Sequence, residues 1–377
     1  MKKKNCKKNI LFIIPTLGGG GAEKVLVNIL DNMDYKKYNV TLILHCKSGV
    51  YLNDIKANVK IKYIYDPNCF KYRYVQSIYY RVRMFLYNKF PNFLHKLLAG
   101  NKNDVEIAFL EGEPVKFLSN SSNKKSKKVA WIHTDIKSFD RMYIDRASKY
   151  YEKIDEIICV SNDAKKSFDE VYPQYRQKVS VIYNLIDIDN IREICDEDIT
   201  HKFKKNTIIG IGRLINEKRF DILIKAHKLL IEDGIENELI ILGEGSKRND
   251  LESLIKNLEI ERTVKLMGFK SNPYPYIKNA DVFALSSDIE GFPLVVCESL
   301  VLGKAIVSTD CTGPREILDN GKYGLISKKG NEFELKENLK KVLLDKNVRK
   351  YYENKSIERS KIFNVEEAIK EIYEMIG

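Results

Sequence analysis

The segment SSDIEGFPLVVCESLVLG contains two acids, Glu290 and Glu298, at the predicted end of a buried strand and the start of a helix. Pro293 is typical of a first helical turn, so Glu290 lies in the loop and Glu298 about one and a half turns into the helix. Backbone N–H groups around Phe292 to Leu294 would attract an anion, whereas the carboxylates would repel it unless they bind hydroxyl groups. A nucleotide sugar carries both hydroxyls and a diphosphate and resolves this conflict. Surface acids that favour the helix dipole are the alternative.

Two cations, Arg213 and Lys218, follow another predicted strand in the segment GIGRLINEKRF. The arginine guanidinium can donate two parallel hydrogen bonds, and the lysine ammonium carries a compact positive charge. The two could therefore hold a diphosphate without any metal ion. Solvated surface charge is the alternative. The segment is therefore a candidate diphosphate site.

Glycines mark two further strand ends. The loop GGGGAE, from Gly18 to Glu23, precedes a predicted helix, and Gly19 and Gly20 would allow an anion to approach the helix N-terminus. The spacing matches neither the dinucleotide-binding fingerprint nor the P-loop, because both require glycine at position 23. Gly243, in ILGEGS, lies in a second turn where a ligand could approach the backbone. Purely structural turns are the alternative.

The elements that must position these residues follow an α/β pattern. Apolar runs of strand length alternate with amphipathic runs of helix length, which is typical of parallel sheets covered by helices on both faces. The pattern restarts after the polar segment 186–206, which shows no sustained strand or helix period and is predicted to be a linker. We expect two doubly wound, Rossmann-like domains at residues 1–185 and 207–355, and a helical tail at 356–377. The predicted strands of the first domain are NILFIIPTL, NVTLILHC, VEIAFLE, KKVAWIH, EIICVS and VSVIYN.

Composition indicates a soluble globular protein without a metal. The 377 residues, 44% hydrophobic and 31% charged, are enough for two cores. The seven cysteines are odd in number and show no metal-ligand spacing, so we expect them to be reduced and structural. The apolar run after the basic N-terminus contains Pro15, and we interpret it as a strand, not a signal peptide. No apolar stretch reaches the about 18 residues that a membrane helix needs, so a cytoplasmic or peripheral membrane location is expected.

The N-terminal half carries the net charge of +12. Residues 1–180 contain 33 Lys/Arg and 18 Asp/Glu, whereas residues 181–377 contain 31 and 34. The basic character is densest between Asp66 and Asp104, where seven cations alternate with nine aromatic residues and no acid occurs. Apolar residues recur there at helical spacing, and the predicted helix within 70–100 would suit an anionic bilayer or RNA. An ordinary core helix with a solvated basic side is the alternative.

Together, these segments resemble the family 4 retaining glycosyltransferases of GT-B fold. The resemblance is carried by GGAE, VSNDAKKSF, NLIDIDN, GRL with EK, ILGEGS, the pair of acids in EGFPLVVCE, and GPREI, in the family's order over nearly the whole chain. It implies two Rossmann-like domains facing across a cleft, the first binding the acceptor and the second a nucleotide sugar, with the tail packing back toward the first. It also implies transfer of a hexosyl or N-acetylhexosaminyl group with retention of configuration. The donor would be a UDP-sugar, as is usual in the family, and the acceptor a hydroxyl of a lipid-linked glycan or polysaccharide. Neither a metal ion nor a cofactor would be needed.

The resemblance also implies roles for individual residues of the donor site. Glu298 would bind the donor ribose and Glu290 the transferred sugar. Arg213 and Lys218 would bind the diphosphate, with backbone contacts from Leu294 and its neighbours. The implied front-face route has no covalent nucleophile, and the leaving phosphate takes the acceptor proton.

Further implied donor contacts come from the loops. His133, in WIHTD, would approach the donor sugar from the first domain, although a lone histidine after a strand is often structural. Gly20 matches a loop that closes under the donor phosphates, and Gly268 falls where the base would lie. The expected donor-binding residues are Gly19, Gly20, Gly243, Gly268, Phe292, Pro293, Leu294 and Glu298.

The linker segment NLIDIDN departs from the family at one position. Leu185 stands where the family usually has glycine, which puts that turn in doubt. Asp187 and Asp189 resemble a metal-binding D-x-D motif, but their linker position favours a structural role.

Other functions remain as alternatives. They are a GT-B phosphorylase or epimerase, a non-catalytic subunit of a membrane glycan-assembly complex, and a nucleic-acid binder. Because a lipid-linked acceptor must be met at the membrane, we expect an anionic membrane partner at the inner face of the cell membrane, and no nucleic acid.

Overall fold

The computed structural model describes residues 7–56 and 58–377. The chain forms two compact units. The N-terminal unit comprises the residues up to Leu185 together with Glu366–Gly377, and the C-terminal unit comprises Ile186–Val365. Each unit has its own parallel sheet, so the prediction of two Rossmann-like domains is confirmed.

The described part of the N-terminal unit contains a seven-stranded sheet in the order β3-β2-β1-β4-β5-β6-β7. All of its strand pairs are parallel. The strands are β1 (Lys8–Ile14), β2 (Tyr38–Cys46), β3 (Val59–Tyr65), β4 (Val105–Ala108), β5 (Lys127–Ile132), β6 (Glu156–Cys159) and β7 (Val179–Val181). The helices are α1 (Gly21–Asp31), α2 (Arg73–Lys89), α3 (Pro91–Ala99), α4 (Glu113–Leu118), α5 (Arg141–Tyr151) and α6 (Asn162–Val171).

The C-terminal unit contains a six-stranded parallel sheet in the order β10-β9-β8-β11-β12-β13. Its strands are β8 (Thr207–Ile211), β9 (Glu238–Leu242), β10 (Val264–Leu266), β11 (Val282–Leu285), β12 (Ala305–Thr309) and β13 (Leu325–Ser327). Its helices are α7 (Ile188–Ile194), α8 (Phe220–Glu232), α9 (Arg248–Asn257), α10 (Tyr274–Asn279), α11 (Leu294–Val301), α12 (Thr312–Ile317), α13 (Glu332–Leu344) and α14 (Lys346–Ser360). The last helix, α15 (Val365–Ile376), belongs to the N-terminal unit apart from its first residue.

The central strands are apolar on both faces because helices cover both sides of each sheet. In β1, every residue from Ile10 to Ile14 is completely buried, and β9 is buried along its whole length. This pattern explains why continuous apolar runs in the sequence correspond to central strands. It also confirms the interpretation of the apolar run after the basic N-terminus as a strand.

The structure differs from the sequence prediction in several elements. Strand β3 is absent from the predicted strands, because Lys60 and Lys62 interrupt its apolar pattern, as an edge strand allows. The predicted linker contains helix α7, whose start is capped by the side chain of Asp187, which accepts a hydrogen bond from Asn190 N at 3.1 Å. The helical tail divides at Val365, so α14 stays in the C-terminal unit and only α15 joins the N-terminal unit.

Candidate functional site

The C-terminal sheet reverses its strand order next to β8, which has β9 on one side and β11 on the other. In open α/β sheets, ligands bind outside the carboxyl ends of the strands at such a switch point. The loop after β8 carries Arg213 and Lys218, and the loop after β11 carries Glu290. The fold therefore brings the predicted diphosphate site and the first of the two predicted acids to one place.

Lys218 and Glu290 are in direct contact at this point. Lys218 Nζ lies 2.6 Å from Glu290 Oε1, which also accepts a hydrogen bond from Ser287 Oγ at 2.7 Å. The side chains are only 20% and 8% exposed, so water screens the pair poorly. Each charge thus compensates the other.

Arg213 differs from Lys218 in its surroundings. Its side chain is exposed, and among the described residues none forms a hydrogen bond or an ion pair with its guanidinium. The nearby Arg219 has a left-handed backbone conformation, with φ of +47°, and is held by Asp221 and Asp288 at 2.9 to 3.1 Å. These partners raise the pKa of Arg219. Of the two arginines, Arg213 is therefore the one available to a ligand.

Glu298 lies inside α11, as its spacing from Pro293 predicts. Its side chain is buried, and Oε1 accepts a hydrogen bond from the hydroxyl of Tyr274, the first residue of α10, at 3.2 Å. A buried carboxylate held in this way has a defined orientation. Tyr274 is a site residue that the sequence analysis missed, because nothing local in the sequence links it to position 298.

Close backbone approaches explain the glycines near this site. A Cβ atom on Gly243, whose φ is +142°, would lie 1.9 Å from the carbonyl oxygen of Gly212, just after β8. Gly243 N also donates a hydrogen bond to Gly268 O at 2.9 Å. The loops after β8, β9 and β10 are thereby joined along one edge, which brings both predicted glycines beside the loop that carries Arg213.

The α11 end of the site is fixed in a similar way. A Cβ atom on Gly313, in α12, would lie 2.3 Å from the carbonyl oxygen of Gly291 and 2.9 Å from Pro293. The segment before α11, which includes Phe292, is therefore packed closely against the start of α12. Pro293 has no N–H group, so the backbone hydrogen-bond donors next to it are the N–H groups of Phe292 and Leu294.

The remaining predicted residues lie in the N-terminal unit. Gly19 and Gly20 precede α1, and a Cβ atom on Gly20 would lie 2.2 Å from a carboxylate oxygen of Glu23. The carboxylate of Glu23 thus lies over the glycine loop, and it would have to move to admit a side chain at position 20. His133 follows β5, and burial lowers the pKa of its imidazole to about 3, so the ring is neutral.

A carboxylate that the sequence analysis did not select lies beside His133. Oε2 of Glu111, just after β4, accepts a hydrogen bond from the backbone N–H of His133 at 2.9 Å. Burial raises the pKa of Glu111, and the charge of Glu23 raises it further. The only signal in the sequence was an acid at the end of the predicted strand VEIAFLE.

Segment 70–100 contains two helices, not the single predicted one. Helix α2 ends at Lys89, and Phe90 leaves the helical conformation, with φ of −133° and ψ of 52°, because the following Pro91 disfavours it. Among the described residues, no helix is both long enough and apolar enough to cross a bilayer.

The exposed residues of segment 70–97 form a basic aromatic surface. The apolar face of α2 is only partly covered. Val75, Ile78 and Val82 are 38%, 43% and 51% exposed, whereas Tyr79 and Leu86 are half-buried. The helix buries only Gln76 and Tyr87 fully, so most of it is open to solvent. The large exposed side chains are Phe70, Tyr72, Tyr74, Val75, Ile78, Tyr80, Val82, Phe85, Phe90, Phe93 and Leu97.

Comparison with known families adds to this geometry. Residues 19–190 match the model of Glycosyltransferase Family 4, and residues 192–359 match that of Glycosyl transferases group 1. The two matches adjoin near the boundary between the two units. They cover every residue of the predicted site and all strands of the two sheets except β1.

Individual relatives and solved structures agree with these matches. A Campylobacter jejuni N-acetylgalactosamine-N,N'-diacetylbacillosaminyl-diphospho-undecaprenol 4-alpha-N-acetylgalactosaminyltransferase is 32% identical over 94% of this chain and 95% of its own. A second enzyme of that organism, a GalNAc-alpha-(1->4)-GalNAc-alpha-(1->3)-diNAcBac-PP-undecaprenol alpha-1,4-N-acetyl-D-galactosaminyltransferase, is 26% identical over 98% of both chains. Anabaena HepE, solved with UDP and glucose, superimposes with a TM-score of 0.79 at 18% identity, covering 98% of this chain and 99% of its own.

Proposed function

Because this chain belongs to the family 4 glycosyltransferases of GT-B fold, we propose that it transfers a sugar from a UDP-sugar to a hydroxyl of a lipid-linked glycan. The transfer retains the configuration of the sugar and needs no metal ion. The observation that carries the proposal is the meeting of Lys218 and Glu290 at the switch point of the C-terminal sheet, beside the unpaired Arg213. UDP is bound in HepE, and the names of both Campylobacter relatives specify acceptors linked to undecaprenol through a diphosphate.

The two cations bind the donor diphosphate in this proposal. Arg213 needs no rearrangement, since its guanidinium has no partner among the described residues. Lys218 turns from Glu290 to the more highly charged diphosphate. Glu290 is then free to accept a hydrogen bond from a hydroxyl of the transferred sugar, which explains why an acid lies beside an anion site.

The other predicted residues complete the donor site. Glu298, oriented by Tyr274, accepts hydrogen bonds from the ribose hydroxyls. The backbone N–H groups of Phe292 and Leu294, on either side of Pro293, point to the diphosphate from the start of α11. Gly243 and Gly268 lie in the loops that we assign to the nucleoside. In the N-terminal unit, we assign Gly19 and Gly20 to the phosphates and His133 to the transferred sugar.

The chemistry follows from electrostatics. Arg213 and Lys218 stabilise the negative charge that develops on the departing diphosphate, as preorganised charges do in other enzymes. A leaving phosphate oxygen takes the proton of the acceptor hydroxyl, so no protein nucleophile is required. Because these two cations take the place of a metal ion at the diphosphate in this proposal, transfer should continue at an undiminished rate in excess EDTA.

The basic aromatic surface docks on an anionic membrane in this proposal. It combines exposed aromatic side chains, such as Tyr72 and Tyr74 at 71% and 76% exposure, with cations and no acid between Asp66 and Asp104. Such a surface suits the interface of a bilayer, where aromatic rings insert and cations meet lipid phosphates. An acceptor anchored by its lipid would be met there, at the cytoplasmic face of the membrane.

A nucleotide-release screen tests the proposed function. The purified protein is incubated with common UDP-sugars and a lipid-linked acceptor extract, and the release of UDP is compared with and without acceptor. We expect acceptor-dependent release from at least one donor, with the anomeric configuration of the product the same as in the donor. Release from no donor would contradict the proposal and favour a non-catalytic role.

A further inference from the structure

The N-terminal sheet has the same kind of switch point as the C-terminal one. Its first strand, β1, lies between β2 and β4, just as β8 lies between β9 and β11. The loop after β11 carries Glu290, and the corresponding loop after β4 carries Glu111. By the same physical rule, a ligand of the N-terminal unit should bind where the loops after β1 and β4 open.

Glu111 is held there with part of its hydrogen-bonding capacity unused. Its Oε2 accepts the backbone N–H of His133, which fixes the carboxyl group across the ends of the neighbouring strands β4 and β5. The backbone N–H of Glu111 itself also donates to this carboxyl group, and no further described residue does. The next acid, Glu113, differs because it is occupied by the Tyr87 hydroxyl and by Lys116.

Two further polar atoms beside Glu111 are shielded from solvent and have no partner among the described residues. They are the hydroxyl of Tyr143 and Nε2 of His133. The Tyr143 hydroxyl lies close to the loop, since a Cβ atom on Gly112 would be 3.2 Å from it. Burial raises the pKa of Tyr143, and the charge of Glu111 is the next largest cause. Unpaired polar atoms in such a place are costly unless a ligand satisfies them.

We propose that Glu111 and Tyr143 form the subsite for the acceptor sugar, in which a sugar hydroxyl donates a hydrogen bond to Glu111 and a sugar oxygen accepts one from Tyr143. The inference rests on the proposed function, which supplies the acceptor. Carbohydrate hydroxyls both donate and accept, and they match a carboxylate beside a phenol. The lipid diphosphate of the acceptor does not match this pair, because the charges of Glu111 and Glu23 would repel it.

The test compares Glu111→Gln with the matched control Glu113→Gln, which changes a neighbouring carboxyl group already occupied by protein partners. Acceptor kinetics are measured at saturating UDP-sugar, together with the Kd of the donor and the slow hydrolysis of the donor without acceptor. For Glu111→Gln we expect kcat/KM for the acceptor to fall about 10- to 100-fold, the range for a charged hydrogen bond. Donor Kd and hydrolysis should change less than about two-fold, and Glu113→Gln should retain acceptor kinetics. Tyr143→Phe should show a smaller loss of the same kind.

The outcomes separate the subsite from the proposed function. Wild-type acceptor kinetics in both Glu111→Gln and Glu111→Ala would overturn the subsite alone. A parallel loss of donor affinity in the Glu111 variants would also overturn it, because the residue would then serve the donor. A wild-type protein that transfers to no acceptor would overturn the proposed function, and the subsite with it. Thermal unfolding of each variant shows whether a loss reflects misfolding.

Discussion

Lys218 and Glu290 form an ion pair of 2.6 Å across 72 residues of sequence, at the point where the C-terminal sheet reverses its strand order. Both belong to segments that resemble donor-site motifs. Each is the other's counter-charge. In the proposed function, the diphosphate of the donor competes with Glu290 for Lys218.

Breaking this pair should lower stability. Lys218→Met leaves the carboxylate of Glu290, only 8% exposed, without its cation, which we expect to reduce the free energy of unfolding by about 1–3 kcal/mol. The double variant Lys218→Met with Glu290→Gln should recover part of the loss, because no charge is then left unpaired. Urea unfolding of both single variants and of the double variant measures the coupling. Additive effects would show that the pair contributes nothing to the folded state.

Arg213 should affect turnover without affecting stability. Since its exposed side chain has no partner among the described residues, Arg213→Ala should change the free energy of unfolding by less than about 0.5 kcal/mol. Turnover should fall about 10²- to 10³-fold if the guanidinium stabilises the departing diphosphate. Lys256→Ala, at an exposed position of α9, is the control for the loss of a positive charge. Turnover equal to wild type would remove Arg213 from the site.

Glu298 should determine how strongly the protein distinguishes a ribose from its deoxy form. The wild-type protein should bind UDP more tightly than 2',3'-dideoxy-UDP, and Glu298→Gln should remove most of that difference by weakening only UDP. Tyr274→Phe, which deletes the hydroxyl that orients Glu298, should weaken UDP by about 3- to 10-fold. Isothermal titration of the wild-type protein and of each variant with both nucleotides gives these affinities. The ribose assignment fails if Glu298→Gln weakens both nucleotides equally.

Gly243 should tolerate no side chain. Gly243→Ala places a methyl group 1.9 Å from the carbonyl oxygen of Gly212, so the loops after β8 and β9 must separate. We expect a loss of at least about 2–3 kcal/mol in the free energy of unfolding, together with weaker nucleotide binding. Gly234→Ala is the matched control, because Gly234 also has a positive φ, +78°, but no atom lies within 4 Å of its added Cβ. Its cost should be about 1 kcal/mol. Equal losses would show that backbone conformation alone matters.

The basic aromatic surface should bind anionic vesicles. In co-sedimentation, we expect binding to liposomes with 30% phosphatidylglycerol, chosen as the probe, and weaker binding to purely zwitterionic liposomes or in high salt. The triple variant Tyr74→Ser, Val82→Ser and Phe85→Ser should bind less, while transfer to a soluble acceptor analogue stays unchanged. Three exposed apolar residues of the C-terminal unit, Phe333, Tyr351 and Ile362, changed to Ser serve as control. Binding that is indifferent to lipid charge and salt would contradict membrane docking by this surface.

Much of the fold could be predicted from the sequence because the relevant signals are local. Continuous apolar runs located the central strands, and Pro293 located the start of α11 and thereby Glu298 within it. Strand β3 was missed because an edge strand needs apolar residues on only part of its surface, and Lys60 and Lys62 break the pattern. The break at Phe90 was missed for a different reason. The helical spacing on both sides of Pro91 outweighed the steric signal of the proline.

The sequence by itself therefore determined the class of fold, the order of the donor-site segments and the identity of the acids and cations in them. Only the tertiary structure decided which of these residues meet. It paired Lys218 with Glu290, left Arg213 without a partner among the described residues, placed Tyr274 on Glu298, and brought Glu111 to the switch point beside His133 and Tyr143. The physical reason is that strand order sets contacts between distant segments, and strand order depends on the packing of the whole sheet. Local propensities carry no information about it.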